Sequence, residues 1–229
     1  MLEKLMTGIL WLHIAAGFGA FFIAPVVMIV KKGGKTHRQW GIYYLYAMTV
    51  VAVSAILLTF YRPNLFLFFI AIFSYYFAFS GYRVLRRKRP DKGQKAERLD
   101  WSVALAALAV CAGMAVWGVS LIVSDNFGFA AILLTFGVLG GVGIGSDVRK
   151  LARPSLEKNA WWFDHMGGMV GSYIAAVTAF SVQNFTFMPP ILRWLWPTAI
   201  GAIGLTVWIR YYRAKFSRSK KTAVLEPAA

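Results

Sequence analysis

The chain has 229 residues, of which 59% are hydrophobic, with a mean hydropathy of +0.58 and a formal net charge of +16. Ordinary soluble domains hold about 45–50% apolar residues, so this composition excludes a soluble globular protein, and its apolar runs are long enough to cross a bilayer. The excess of Lys and Arg would suggest nucleic acid in a soluble protein; here it lies in short segments beside apolar runs, where membrane orientation accounts for it, and nucleic acid is excluded as a partner.

A helix rises 1.5 Å per residue, so about 20 apolar residues cross a hydrocarbon core roughly 30 Å thick. Seven segments meet that requirement: Leu5 to Val30, Gly41 to Phe60, Leu65 to Leu85, Trp101 to Val123, Phe127 to Gly145, Trp162 to Gln183 and Ile191 to Arg210. The first is not a cleavable signal, because its charges, Lys31 and Lys32, follow the apolar run instead of preceding it. All but three of the 25 Lys and Arg residues fall in four clusters: Lys31 to Arg38, Arg83 to Arg98, Arg149 to Lys158 and Arg210 to Lys221. An alternating path through seven spans puts all four clusters on one side, and the positive-inside rule makes that side cytoplasmic. The expected fold is therefore all-α: a polytopic bundle of seven transmembrane helices with the N-terminus outside and the C-terminus cytoplasmic. Residues 1–216 form one domain, and the polar, small and basic residues 217–229 are expected to be a disordered tail.

Aromatic residues mark the span ends, with Trp40, Trp101, Trp161 and Trp162 at the inner ends and Trp194 and Trp196 at the outer end of the last span. Small residues recur every fourth position at Ala16, Ala20 and Ala24, at Gly137, Gly141 and Gly145, and at Gly167 and Gly171, a spacing that lets helices approach closely. Pro25 removes one backbone hydrogen bond from the first span. Lone Cys111, inside an apolar segment, reads as a small buried side chain.

Ionisable groups inside a bilayer are costly and face a protein interior or a wet cavity, so they mark the candidate sites. His13 stands eight residues into the first span, about 12 Å below the outer surface. The same arithmetic places Ser54, Thr135 and Thr178 near its height, with Tyr75, Tyr76 and Tyr173 slightly deeper. Together they are candidates to line an outward-facing polar pocket, with His13, Tyr173, Thr178 and Thr135 as its ligand-binding residues. Equally, a lone intramembrane histidine serves to fix helix packing.

A second group sits at the inner surface: His37 in the first basic loop, then Asp164, His165 and, one turn further, Met169. Imidazole, carboxylate and thioether are metal-ligand types, and imidazole with thioether suits Cu(I). No paired-ligand spacing of a known metal motif accompanies them. His13 and His165 differ in depth by about 15 Å, too far to clamp one haem. No lysine lies between Ile191 and Ile209 to form a retinal Schiff base, and no serine has a neighbouring base.

Four segments carry a resemblance to a known family. They are Leu12-His13 with the Gly-rich run after it, Lys32 to Arg38, Phe79 to Arg83, and His165 to Met169 leading into Tyr173 to Phe180. On these the chain resembles a family of uncharacterised bacterial multi-pass membrane proteins. The resemblance implies a bacterial inner-membrane location and singles out His13, His37, His165 and Tyr173, without implying a reaction or a cofactor. The chain departs from the family form at Gly168, where related chains often carry Arg.

The function expected is non-enzymatic: binding or transport of a small solute at His13, whose titration could couple proton movement to the solute. Two alternatives stand beside it. One is a membrane redox protein holding haem or copper near His37 and His165; the other is an accessory or assembly subunit. The bilayer is the expected partner, with a small solute, another membrane protein or a second copy of the chain beside it.

Overall fold

The computed structural model describes residues 1–225, with side chains described as far as residue 217. Eight α-helices make seven rods: α1 (Leu2–Ile29), α2 (Lys35–Tyr61), α3 (Leu65–Arg83), α4 (Arg98–Val123), α5 (Phe127–Leu134), α6 (Gly140–Ala152), α7 (Ala160–Asn184) and α8 (Pro190–Leu225). The fifth rod is α5 and α6 joined through a single π-helical segment, Thr135–Leu139. No strand occurs among the described residues. The all-α bundle expected from the hydropathy is thus the fold, and six of its rods are long and apolar enough to cross a membrane. The backbone of α8 remains helical to Leu225, while residues 226–229 of the expected tail lie outside the described residues.

Three of the rods start where the sequence supplies a side-chain partner for the free N–H groups of the first turn. The Asn64 side chain accepts from the Leu67 N–H, and Asn126 from the Phe129 N–H. At α4, Glu97 and Asp100 form a reciprocal capping box. Helix α2 starts at Lys35, earlier than the apolar run at Gly41, so His37 belongs to its first turn and not to a loop. Gly33, in the left-handed region at φ 74°, makes the preceding turn.

Two groups of rods share α3 and α7. In the first, α1, α2, α3 and α7 pack in a ring; in the second, α3, α4, the fifth rod, α8 and α7 close around a separate core. The larger core belongs to the second ring and joins Phe73 and Tyr76 of α3 to Cys111 and Met114 of α4 and to Leu133, Phe136 and Ile144 of the fifth rod. The first ring is packed by Ala20, Ala24, Tyr44, Met48 and Ala78. Helix α7 is as long as its neighbours but more polar, and it falls short of the apolar character of the other six rods. The packing supplies the reason: no residue from Trp161 to Thr178 is exposed, so other rods cover the helix that suits lipid least.

Glycines set the closest approaches. A Cβ on Gly168 would stand 2.6 Å from the Gly81 Cα and 2.8 Å from the Phe77 carbonyl oxygen, so α3 and α7 cross in backbone contact there. An arginine at position 168 would require these helices to separate. The expected seam on the fifth rod is used within the chain. Gly137 lies against the backbone of Cys111 and Ala115 and Gly141 against the Cys111 Cβ, whereas Gly145 meets nothing within 4 Å.

All four basic clusters meet at one end of the bundle. Lys32 lies over the Trp208 ring, Lys88 over the Trp161 ring and Arg213 over the Phe163 ring, while Lys150 pairs with Asp164. At the other end Phe66, Phe129 and Trp194 pack edge to face. Trp196 turns inward and donates Nε1–H to Ser181 at 2.7 Å.

Candidate functional site

A cavity of about 900 Å³ occupies the first ring, in the half of the bundle away from the basic end. Its lining starts at Glu3, Arg62, Asn64 and Asn184 and reaches Ala20 and Met48 in mid-bundle. The core around Tyr44, Met48 and Ala78 forms its floor. Most of the wall is apolar. Phe18, Phe21 and Phe180 close the side between α1 and α7, with Phe21 and Phe180 stacked at 4.6 Å. Trp194 reaches in from α8 and Phe136 from the π-helical segment. The volume lies within the roughly 300–1,000 Å³ of small-molecule sites, which likewise combine apolar walls with a few placed polar groups.

His13 is the ionisable group in the deeper wall. Its Nδ1 lies 3.1 Å from the Val51 carbonyl oxygen and 2.9 Å from Ser54 Oγ. A carbonyl only accepts, so Nδ1 carries the proton and donates to α2. Ser54 in turn donates to the Val50 carbonyl at 2.5 Å. With Nδ1 committed, the polar atom that His13 brings to the cavity is Nε2, an unprotonated acceptor.

The other expected pocket residues divide. Thr178 lines the cavity, its hydroxyl donating to the Ile174 carbonyl at 2.9 Å. Tyr75 also lines it and shares a 3.1 Å hydrogen bond with Thr49. Thr135 does not: it donates to the Ala131 carbonyl at the start of the π-helical segment, and its neighbour Phe136 takes the wall position. Tyr173 lies below the floor, against Phe21 and the small core of the first ring. Helical rise gives the height of a residue but not the direction it faces, which is why Phe136, Phe180 and Trp194 were missed.

At the basic end His37 and His165 face each other with ring centres 6.3 Å apart and planes at 72°. His37 Nδ1 donates to the Val27 carbonyl at 3.1 Å, and His165 Nδ1 to the Gly81 carbonyl at 2.7 Å. Both carbonyls belong to the last turn of a helix, α1 and α3, where intrahelical partners run out. Lys32 shares the task at α1, bonding the Val27 and Met28 carbonyls, and partial burial lowers its ammonium pKa from the usual lysine value. The remaining metal candidates, Asp164 and Met169, lie on α7. Asp164 is engaged by Lys150 at 2.8 Å, and Met169 stands one turn beyond His165 on α7. Among the described residues no three His, Cys, Asp or Glu side chains gather as a metal cluster.

Two ionic groups at this end were not anticipated. Arg83 binds Asp100 and Glu97, joining α3 to α4. Lys150 bridges Asp147 and Asp164, and Asp147 accepts from the Tyr76 hydroxyl at 3.1 Å. The second group lies in a cleft of about 390 Å³ that Arg87, Lys88 and Trp161 also line. The sequence signal was present in Asp100, three residues after Glu97, and in Asp147, an acid at the end of an apolar span.

No curated protein and no solved structure matches the chain. The family model for a predicted membrane protein, DUF2306, matches residues 10–146, a stretch that includes His13, His37 and most of the first six helices and ends before α7. That match covers more than half of the chain, which therefore belongs to the DUF2306 family of predicted membrane proteins.

Proposed function

We propose that the protein binds, and carries across or out of the membrane, a small amphipathic molecule held in the cavity of the first ring. The supporting observation is a mostly apolar cavity of about 900 Å³ with His13 in its wall and polar residues at its rim. Because His13 offers an acceptor, the ligand that suits it is an apolar body bearing one hydrogen-bond donor: an alcohol, a phenol or an undissociated acid. Protonation of Nε2 would convert that acceptor to a donor, giving the site a means to couple ligand release to proton uptake. The role is non-enzymatic, since binding needs no group beyond those in the wall.

In this reading the basic end is cytoplasmic and the cavity opens to the outer side of a bacterial inner membrane, in accord with the positive-inside rule. Binding of radiolabelled octylphenol to protein in nanodiscs tests the site. His13→Ala is expected to weaken binding without unfolding the bundle, and unchanged binding by that variant would refute the role given to His13.

A further inference from the structure

We propose that His37 and His165 together bind one cuprous ion at the basic end of the first ring. The two rings come from different rods, α2 and α7, and each uses Nδ1–H on a helix-terminal carbonyl. That bond fixes the tautomer and leaves Nε2 as the nitrogen with a free lone pair, the arrangement that metal-bound histidines use to orient their rings. A metal–imidazole bond is about 2.0–2.1 Å, so two rings in line around one ion have centres about 6.3–6.5 Å apart when half a ring is added on each side. The observed separation is 6.3 Å.

The surroundings select the ion. Zinc sites use three or four protein ligands, often thiolate or carboxylate, and no third His, Cys, Asp or Glu joins this pair among the described residues. The nearest acid on α7, Asp164, is held by Lys150. Lys32 acts on His37 and Lys88 on His165, and a positive setting penalises a divalent ion more than a monovalent one. Cuprous ion is monovalent and accepts two neutral ligands in line. Haem is less suited. It would need an open slot between the rings, and neither cavity described above includes His37 or His165. The site is separate from the His13 cavity and does not depend on what that cavity binds.

The test is a Cu(I) titration of the full-length protein in nanodiscs, in competition with bathocuproine disulfonate. His37→Asn and His165→Asn keep a side-chain N–H where Nδ1 donates but supply no second ring nitrogen. Wild type is expected to bind one Cu(I) per chain, and each variant to bind at least ~100-fold more weakly with an unchanged unfolding temperature. Wild-type binding no tighter than that of the double Asn variant would overturn the proposal, as would Zn(II) bound as tightly as Cu(I). If an Asn variant fails to fold, X-ray absorption of copper-loaded wild type decides. Scattering from two imidazoles supports the site, and its absence overturns it.

Discussion

Arg83 and Asp100 form a two-pronged ion pair, with Nε to Oδ1 at 2.8 Å and Nη2 to Oδ2 at 3.0 Å, that ties the last turn of α3 to the first turn of α4. The side chains are only 7% and 3% exposed, and Asp100 also accepts from the Glu97 N–H at 2.8 Å. Removing Arg83 strands Asp100 as a buried charge, which costs about 3–5 kcal/mol, whereas removing Asp100 leaves Arg83 its bond to the exposed Glu97 at 2.7 Å. Arg83→Met is expected to destabilise the bundle by that amount, and Asp100→Asn by less, in a denaturant titration of detergent-solubilised protein. The double replacement Arg83→Met with Asp100→Leu should lie closer to wild type than Arg83→Met alone, because the one charge it leaves unpaired, Glu97, is exposed.

Helix α7 supplies a comparison between adjacent glycines. A methyl group on Gly168 collides with the backbone of α3, whereas one on Gly167 meets nothing within 4 Å. Gly168→Ala should therefore cost about 1–3 kcal/mol through forced separation of α3 and α7. Gly167→Ala should be neutral or stabilising by up to about 1 kcal/mol, the gain in helix propensity. Equal effects in the same unfolding assay would mean that the α3–α7 crossing is looser than described.

Orientation is tested by cysteine labelling. Cys111 is fully buried, so it contributes little background. Asn184→Cys stands at the end away from the basic clusters, and Ser155→Cys stands among them. A membrane-impermeant maleimide applied to intact cells is expected to label position 184, and to label position 155 only after permeabilisation. The reverse pattern would invert the topology and turn the cavity toward the cytoplasm.

The rods were legible in the sequence because lipid imposes a strong constraint: about 20 apolar residues and few charges in each. Their neighbours were not, since the same hydropathy serves a rod facing lipid and a rod facing protein. The enclosure of α7 and the ring of α1, α2, α3 and α7 come from close backbone approach at places such as Gly81 and Gly168. The height of His13 was readable, and its contact with Ser54 follows from two residues placed at similar depth on adjacent rods. The direction of Thr135 was not readable, because the π-helical segment beginning at that residue alters the rotation of the helix and gives the wall to Phe136. His37 was placed in a loop because polar residues precede the apolar run, although Lys35, Thr36 and His37 already continue the helix at the membrane surface.

The cavity itself can be filled without touching His13. Ala176 lines it from α7, and Ala176→Trp would occupy part of its volume with an indole. That variant should lose octylphenol binding while His13 keeps its contacts to α2. Loss in Ala176→Trp with retention in His13→Ala would keep the cavity as the site and remove the histidine from recognition.

The most direct measurement is equilibrium binding of radiolabelled octylphenol to wild type, His13→Ala and Ala176→Trp in nanodiscs of one lipid composition, with empty nanodiscs as the blank. The account predicts saturable binding near one molecule per chain for wild type, and binding reduced to the blank when the cavity is filled. A wild-type signal that does not saturate, or that Ala176→Trp leaves unchanged, would contradict it.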